Sequence, residues 1–127
     1  MAITMEQLTL YASQLNTTVN AVLTGIVGIA IAEACGEDSA AFAVGYNGRN
    51  DSRLTHTFGC IANILLVKCR VDGDLLLRDY FGELQKQIFD AMSVTMVPFT
   101  EMAEGYTNFL DIVFVNQTGE NDAFALE

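Results

Sequence analysis

The stretch Val19–Cys35, VNAVLTGIVGIAIAEAC, decides the architecture of this chain. Val19, Val22, Leu23, Ile26, Val27, Ala30, Ile31 and Ala34 recur at helical spacing, so the segment reads as an α-helix. Asn16-Thr17-Thr18 before it supplies a break and an N-cap, and Gly36 after it is a good C′ residue. Thr24, Glu33 and two glycines interrupt the apolar run, which falls short of the ~20 residues of a membrane span. The first basic residue is Arg49, too far away to anchor such a span at a lipid interface. A buried core helix is therefore the reading, and no membrane partner is expected. Gly25 and Gly28 lower helix propensity by about 1 kcal/mol each, so both are expected to permit close packing. A helix this apolar on nearly every side belongs in the centre of a fold.

Working outward, Thr4-Met5-Glu6-Gln7 reads as a capping box opening a short amphipathic helix to residue 14 or 15. On the other side, the acidic turn Gly36-Glu37-Asp38 leads into a buried strand over residues 40–46. Residues 47–57 are polar and form a loop, and residues 60–71 read as a second strand ending at the turn Asp72-Gly73. Asp74 is expected to cap a long amphipathic helix whose buried stripe is Leu77, Tyr80 or Phe81, Leu84, Ile88 and Met92. Arg78, Glu83, Lys86 and Asp90 fall on its solvated face. A loop with Val97-Pro98-Phe99, a short helix over 101–104, a third strand over 109–115 and a polar tail complete the chain. The order α-α-β-β-α-(α)-β has no repeat and no linker, so residues 1–127 read as a single domain. The fold class is α/β, a layered and mainly open sheet with packed helices.

Composition narrows the function. The 127 residues are 51% hydrophobic and 17% charged, with 16 acidic against 6 basic side chains and a net charge of -10. Such a charge repels phosphate backbones, which argues against nucleic-acid binding. The single histidine excludes a multi-histidine metal site and most histidine-paired catalysis. Cys35, Cys60 and Cys69 are odd in number and lack C-x-x-C spacing, so reduced thiols, and with them a cytoplasmic location, are expected. Cys60 and Cys69, both within the second strand as read, are expected to serve as small core hydrophobes. Met1-Ala2-Ile3 has no basic region of the kind that opens a signal peptide. Gly45 and Gly48 lie in no phosphate-binding motif, and Asp72 and Asp74 lack the spacing of a calcium loop.

A family resemblance emerges from four motifs in order. The first is Asn16-Thr17-Thr18-Val19-Asn20 opening an alanine-rich helix. The second is the strand and turn Phe42-Ala43-Val44-Gly45-Tyr46-Asn47-Gly48-Arg49. The third, Phe58-Gly59-Cys60-Ile61-Ala62-Asn63-Ile64-Leu65, matches a G-x-F-V-N-T-L pattern with Gly59 and Asn63 in register. The fourth is Val97-Pro98-Phe99, which resembles a P-F-E motif, followed by a strand over residues 109–117. Together they resemble the C-terminal half of a nonribosomal peptide synthetase condensation domain, in the chloramphenicol-acetyltransferase-like superfamily. Where the family continues with proline, a hydrophobe and arginine, this chain has Leu66, Val67 and Lys68.

The resemblance implies a C-terminal subdomain that supplies one wall of a substrate tunnel and part of a sheet. Its partners would be the N-terminal half of the domain and carrier proteins, and its parent's substrates would be phosphopantetheine-tethered. The family's H-H-x-x-x-D-G signature lies in that N-terminal half and is not found in this sequence, whose one histidine is His56. The chain is therefore expected to hold no catalytic residue, no metal and no cofactor of its own, and to be inactive alone. Asn63 and Gly59 are the candidate tunnel-facing residues; Arg49, Pro98 and Phe99 are candidates for structural or partner contacts, with Asp51 a possible mate for Arg49. A non-catalytic binding or assembly module of the same fold is the alternative. A half-domain exposes apolar surface, so homo-oligomerisation is expected, through the strand over 109–115 or the first helix.

Overall fold

The computed structural model describes residues 3–49, 51–94, 97–102, 104 and 111–116. Helix α1 spans Met5–Gln14, and its N-cap Thr4 forms the full capping box with Gln7. Helix α2 spans Val19–Cys35; Thr18 caps it, and Gly36 ends it in the left-handed region at φ 68°. The two helices meet at 93°. Strands β1 (Ser39–Tyr46) and β2 (Asn63–Arg70) pair antiparallel, and helix α3 (Leu77–Ser93) follows. A short helix α4 (Phe99–Met102) precedes β3 (Val113–Phe114), which runs parallel to β1 and gives the sheet order β2-β1-β3. Residues 109–110 of the expected third strand, residue 103 of the expected short helix and residues 117–127 of the tail lie outside the described residues.

The sheet has two unlike faces. Phe42 and Val44 of β1 and Leu65, Val67 and Cys69 of β2 are buried against α2 and α3. Alternate residues turn to the opposite face, where Ala41, Lys68 and Arg70 are exposed. The helical layer packs closely because of two glycines. A Cβ at Gly25 would stand 2.6 Å from the Phe81 ring, and one at Gly28 would overlap Cys69. Tyr80 lies edge-on to Phe81 at 5.2 Å and donates its hydroxyl to the Gly25 carbonyl at 2.8 Å. Across this knot Gln85 of α3 accepts from the Thr17 hydroxyl (2.5 Å) and the Thr18 N–H (2.9 Å), holding the start of α2.

Several expectations need correction. Asp74 does not cap α3. Its N–H bonds Asp72 Oδ1 within the turn, and the helix begins later, behind Leu76, with no side-chain cap. Leu77, placed in the buried stripe, is 51% exposed because it lies in that first, overhanging turn. Residues 60–62 are not strand, since β2 starts at Asn63, and Cys60 is exposed rather than packed. Helix α2 is not enclosed on all sides: Ile26 is 47% exposed, and Ala30, Glu33 and Ala34 share its open stripe. No single helix among the described residues is long and apolar enough to cross a membrane.

Candidate functional site

The motif residues gather at the end of the sheet where β1 leaves and β2 enters. After Tyr46 the chain reverses through Asn47 and Gly48. Gly48 has φ 73°, and a Cβ there would overlap the Ile61 carbonyl, so only glycine fits. Asn47 Oδ1 accepts from the Arg49 N–H at 3.0 Å. The guanidinium of Arg49 then reaches into the loop that follows. Its Nη1 donates to the carbonyls of Leu54 (2.7 Å) and Thr57 (2.9 Å), and its Nη2 to that of Gly59 (3.1 Å). A planar donor fork fits this task, because several carbonyls converge on one cation.

Asp51 is not the partner of Arg49. It caps the 3-10 turn Ser52–Leu54 and pairs with Arg53 at 2.6 Å. The Arg53 guanidinium holds the Asp51 carboxyl below the usual carboxylate range. Between two of the carbonyls held by Arg49, Phe58 stands fully exposed. Gly59 is exposed with φ 128°, a conformation that disfavours side chains, and His56 is exposed on the same loop.

Asn63 opens β2 and ties it to the Pro98 segment. Its Oδ1 accepts from the N–H groups of Ile64 (2.9 Å) and Phe99 (3.3 Å), and its Nδ2 donates to the Val97 carbonyl (3.1 Å). The side-chain amide thus meets residues 97 and 99 as a neighbouring peptide unit would. Ile61, Ala62, Asn63, Ile64, Pro98, Phe99 and Thr100 line an open cleft of about 610 Å³. Ile61 links the two halves of the site: its carbonyl lies against Gly48, and the residue also lines the cleft. The structure therefore brings Asn63, Pro98 and Phe99 together around one cleft, with Arg49 and Gly59 in the adjoining loop. Among the described residues the cleft's lining carries no ionisable side chain. Chemically these residues make a neutral wall, apolar with the Asn63 amide and the Thr100 hydroxyl. Among the described residues no three His, Cys, Asp or Glu side chains are placed to share a metal ion.

Sequence reasoning missed two features here. Asn116, after β3, donates to Asn20 Oδ1 at 3.2 Å and so joins β3 to the first turn of α2. Nothing in residue spacing signals a pair so far apart. Gln87 of α3 accepts from the Lys68 N–H at 3.3 Å, which covers part of the outer edge of β2; its polar position on the helix gave no hint. A smaller cavity of about 230 Å³ lies between β2 and α3, beside Cys69 and Tyr80.

A mixed sheet of this order, with helices on one face and a motif-lined cleft at one end, is a layered α/β fold. The condensation-domain family model matches residues 2–116, and the chain belongs to that family. Among solved structures, a holo four-domain nonribosomal peptide synthetase bound to AMP and glycine is similar at TM-score 0.75 and 21% identity. That match covers 92% of this chain and 10% of the synthetase. The SgcC5 protein of Streptomyces globisporus is similar at TM-score 0.68 and 16% identity, over 81% of this chain and 23% of its own. A structure described as SeMet-CT matches at TM-score 0.68 and 18% identity, over 80% and 25%. This chain thus spans a quarter or less of each of these structures. No curated protein matches the sequence.

Proposed function

We propose that the chain acts as the C-terminal subdomain of a nonribosomal peptide synthetase condensation domain. In the parent enzyme the reaction is amide-bond formation between carrier-tethered aminoacyl or peptidyl groups. The observation that carries this reading is the family match over residues 2–116, with Asn63, Pro98 and Phe99 of its motifs gathered around one cleft. The subdomain contributes a tunnel wall, with Asn63 and Gly59 toward the substrate and Pro98 and Phe99 forming the far side of the cleft. Arg49 fixes the loop between them. The wall is neutral, as suits a phosphopantetheine arm, which is itself largely amide and alkyl.

Among the described residues no proton-transfer group stands at this wall, and the chemistry belongs to a complementary half bearing H-H-x-x-x-D-G. The chain as a single unit of 127 residues is inactive alone and works in the cytoplasm beside carrier proteins. In isolation it binds copies of itself. Two measurements test the reading. The purified chain, given carrier-bound aminoacyl thioesters, should form no amide product; turnover above background overturns the proposal. Replacing the corresponding segment of an active condensation domain with residues 2–116 should retain product formation, and its abolition in a folded chimaera counts against the assignment.

A further inference from the structure

We propose that the Gln87 side chain closes the outer edge of β2 to strand addition by a second copy of this chain. In the order β2-β1-β3, β2 stands at an edge of the sheet among the described residues. Its first half holds Ile64-Leu65-Leu66-Val67, an uncharged apolar run of the kind that recruits another strand when its backbone is free. The register fixes which backbone groups face outward. The Val71 N–H donates to the Asp38 carbonyl at 2.7 Å, so the odd-numbered residues of β2 turn toward β1. Ile64, Leu66, Lys68 and Arg70 therefore carry the groups that an incoming strand would pair.

Side chains already take alternate N–H groups of this row. Ile64 N–H donates to Asn63 Oδ1 at 2.9 Å, and Lys68 N–H to Gln87 Oε1 at 3.3 Å. No two successive outward N–H groups therefore stand open. A ladder extends by successive pairs, each exchanging both of its N–H bonds. A strand laid along Ile64–Arg70 would have to displace both amides, or leave its own carbonyls unpaired beside them. Of the two closing side chains, only Gln87 comes from outside the strand, reaching across from α3.

Charge defends the rest of the edge. Beyond Gln87, α3 stands back from β2 and leaves the cavity of about 230 Å³, lined there by Arg70, Leu75 and Glu83. Lys68 and Arg70 are exposed, and charged side chains on an edge strand discourage a neighbour. The Gln87 hydrogen bond thus falls where the apolar half of the strand meets its cationic half. Copies that associate do so through another surface, so this closure and the self-association proposed above fail separately.

Hydrogen exchange of the intact chain, followed at the Leu66 and Lys68 amides across the micromolar range, tests this. In the wild type Lys68 should exchange more slowly than Leu66, and neither rate should change with concentration, even where the mass rises. Gln87→Leu keeps the size of the side chain and removes the acceptor. This variant, checked for folding by circular dichroism, should lose the Lys68 protection when dilute. When concentrated it should protect both amides about tenfold and bind thioflavin T, since a second strand then covers them. Gln87→Glu retains an acceptor oxygen and should behave as wild type. Should Gln87→Leu not fold, Gln87→Ala serves in its place. The closure is overturned if the variant lacking the acceptor shows no concentration-dependent protection at these amides, if Gln87→Glu matches that variant, or if the wild type already shows such protection.

Discussion

At position 48 the backbone leaves no room for a side chain, and the consequences spread from there. Gly48→Ala would push against the Ile61 carbonyl in a left-handed conformation, with an expected loss of about 2 kcal/mol or more, read as a lower urea midpoint. Asn63→Ala removes both halves of the amide that meets residues 97 and 99. It should destabilise by about 1–2 kcal/mol and raise hydrogen exchange at the Phe99 N–H, whereas a merely surface-facing asparagine would leave that amide unchanged. Thr24 offers the opposite sign. It is fully buried, and its hydroxyl finds no hydrogen-bond partner among the described residues. Thr24→Val, nearly equal in shape, should therefore stabilise by about 1 kcal/mol in the same titration. The importance of Asn63 and Arg49 was legible in the motifs, but their partners were not. Arg49 was matched with Asp51 on proximity in sequence, yet three carbonyls brought round by the loop outbid a carboxylate that Arg53 already holds.

Among the elements, α2 shows how far periodicity reaches. Its caps, its bounds and the purpose of its glycines were all readable, because each follows from local backbone preference. Gly28→Ala should gain helix propensity yet lose about 1–3 kcal/mol overall through overlap with Cys69, an outcome that thermal unfolding would register. What periodicity could not supply was which stripe of α2 stays open, since that depends on how many layers the rest of the chain provides. The start of α3 failed for a related reason. Asp74 has the right side chain for a cap, but the turn at Asp72 absorbs it before the helix begins. The contact between α2, α3 and β2 also carries a pH dependence. Burial pushes up the Cys69 thiol, and burial together with Cys69 pushes up the Tyr80 phenol, from ordinary values of 9.0 and 10.0. Both groups stay neutral in the fold and ionise in the unfolded chain. Their contribution is thus whole below about pH 9 and declines as pH rises further. Urea midpoints should hold from neutral pH to about pH 9 and fall above it, and Tyr80→Phe should flatten part of that fall.

For the whole molecule, the order of elements and the layered α/β class were legible because apolar runs and turn signals alternate cleanly. The asymmetry of the sheet was not, for alternation along a strand says that two faces differ without saying which one a helix covers. The loop at the functional end carries a last consequence, for proteases. Phe58 is fully exposed, while Arg49 grips the chain on both sides of it, at Thr57 and at Gly59. Brief chymotrypsin treatment should therefore cut after Phe58 before any core aromatic. The two pieces should nonetheless elute together, held by the pairing of β1 with β2, and separate only in denaturant. The molecule is built to survive being severed at this exposed point.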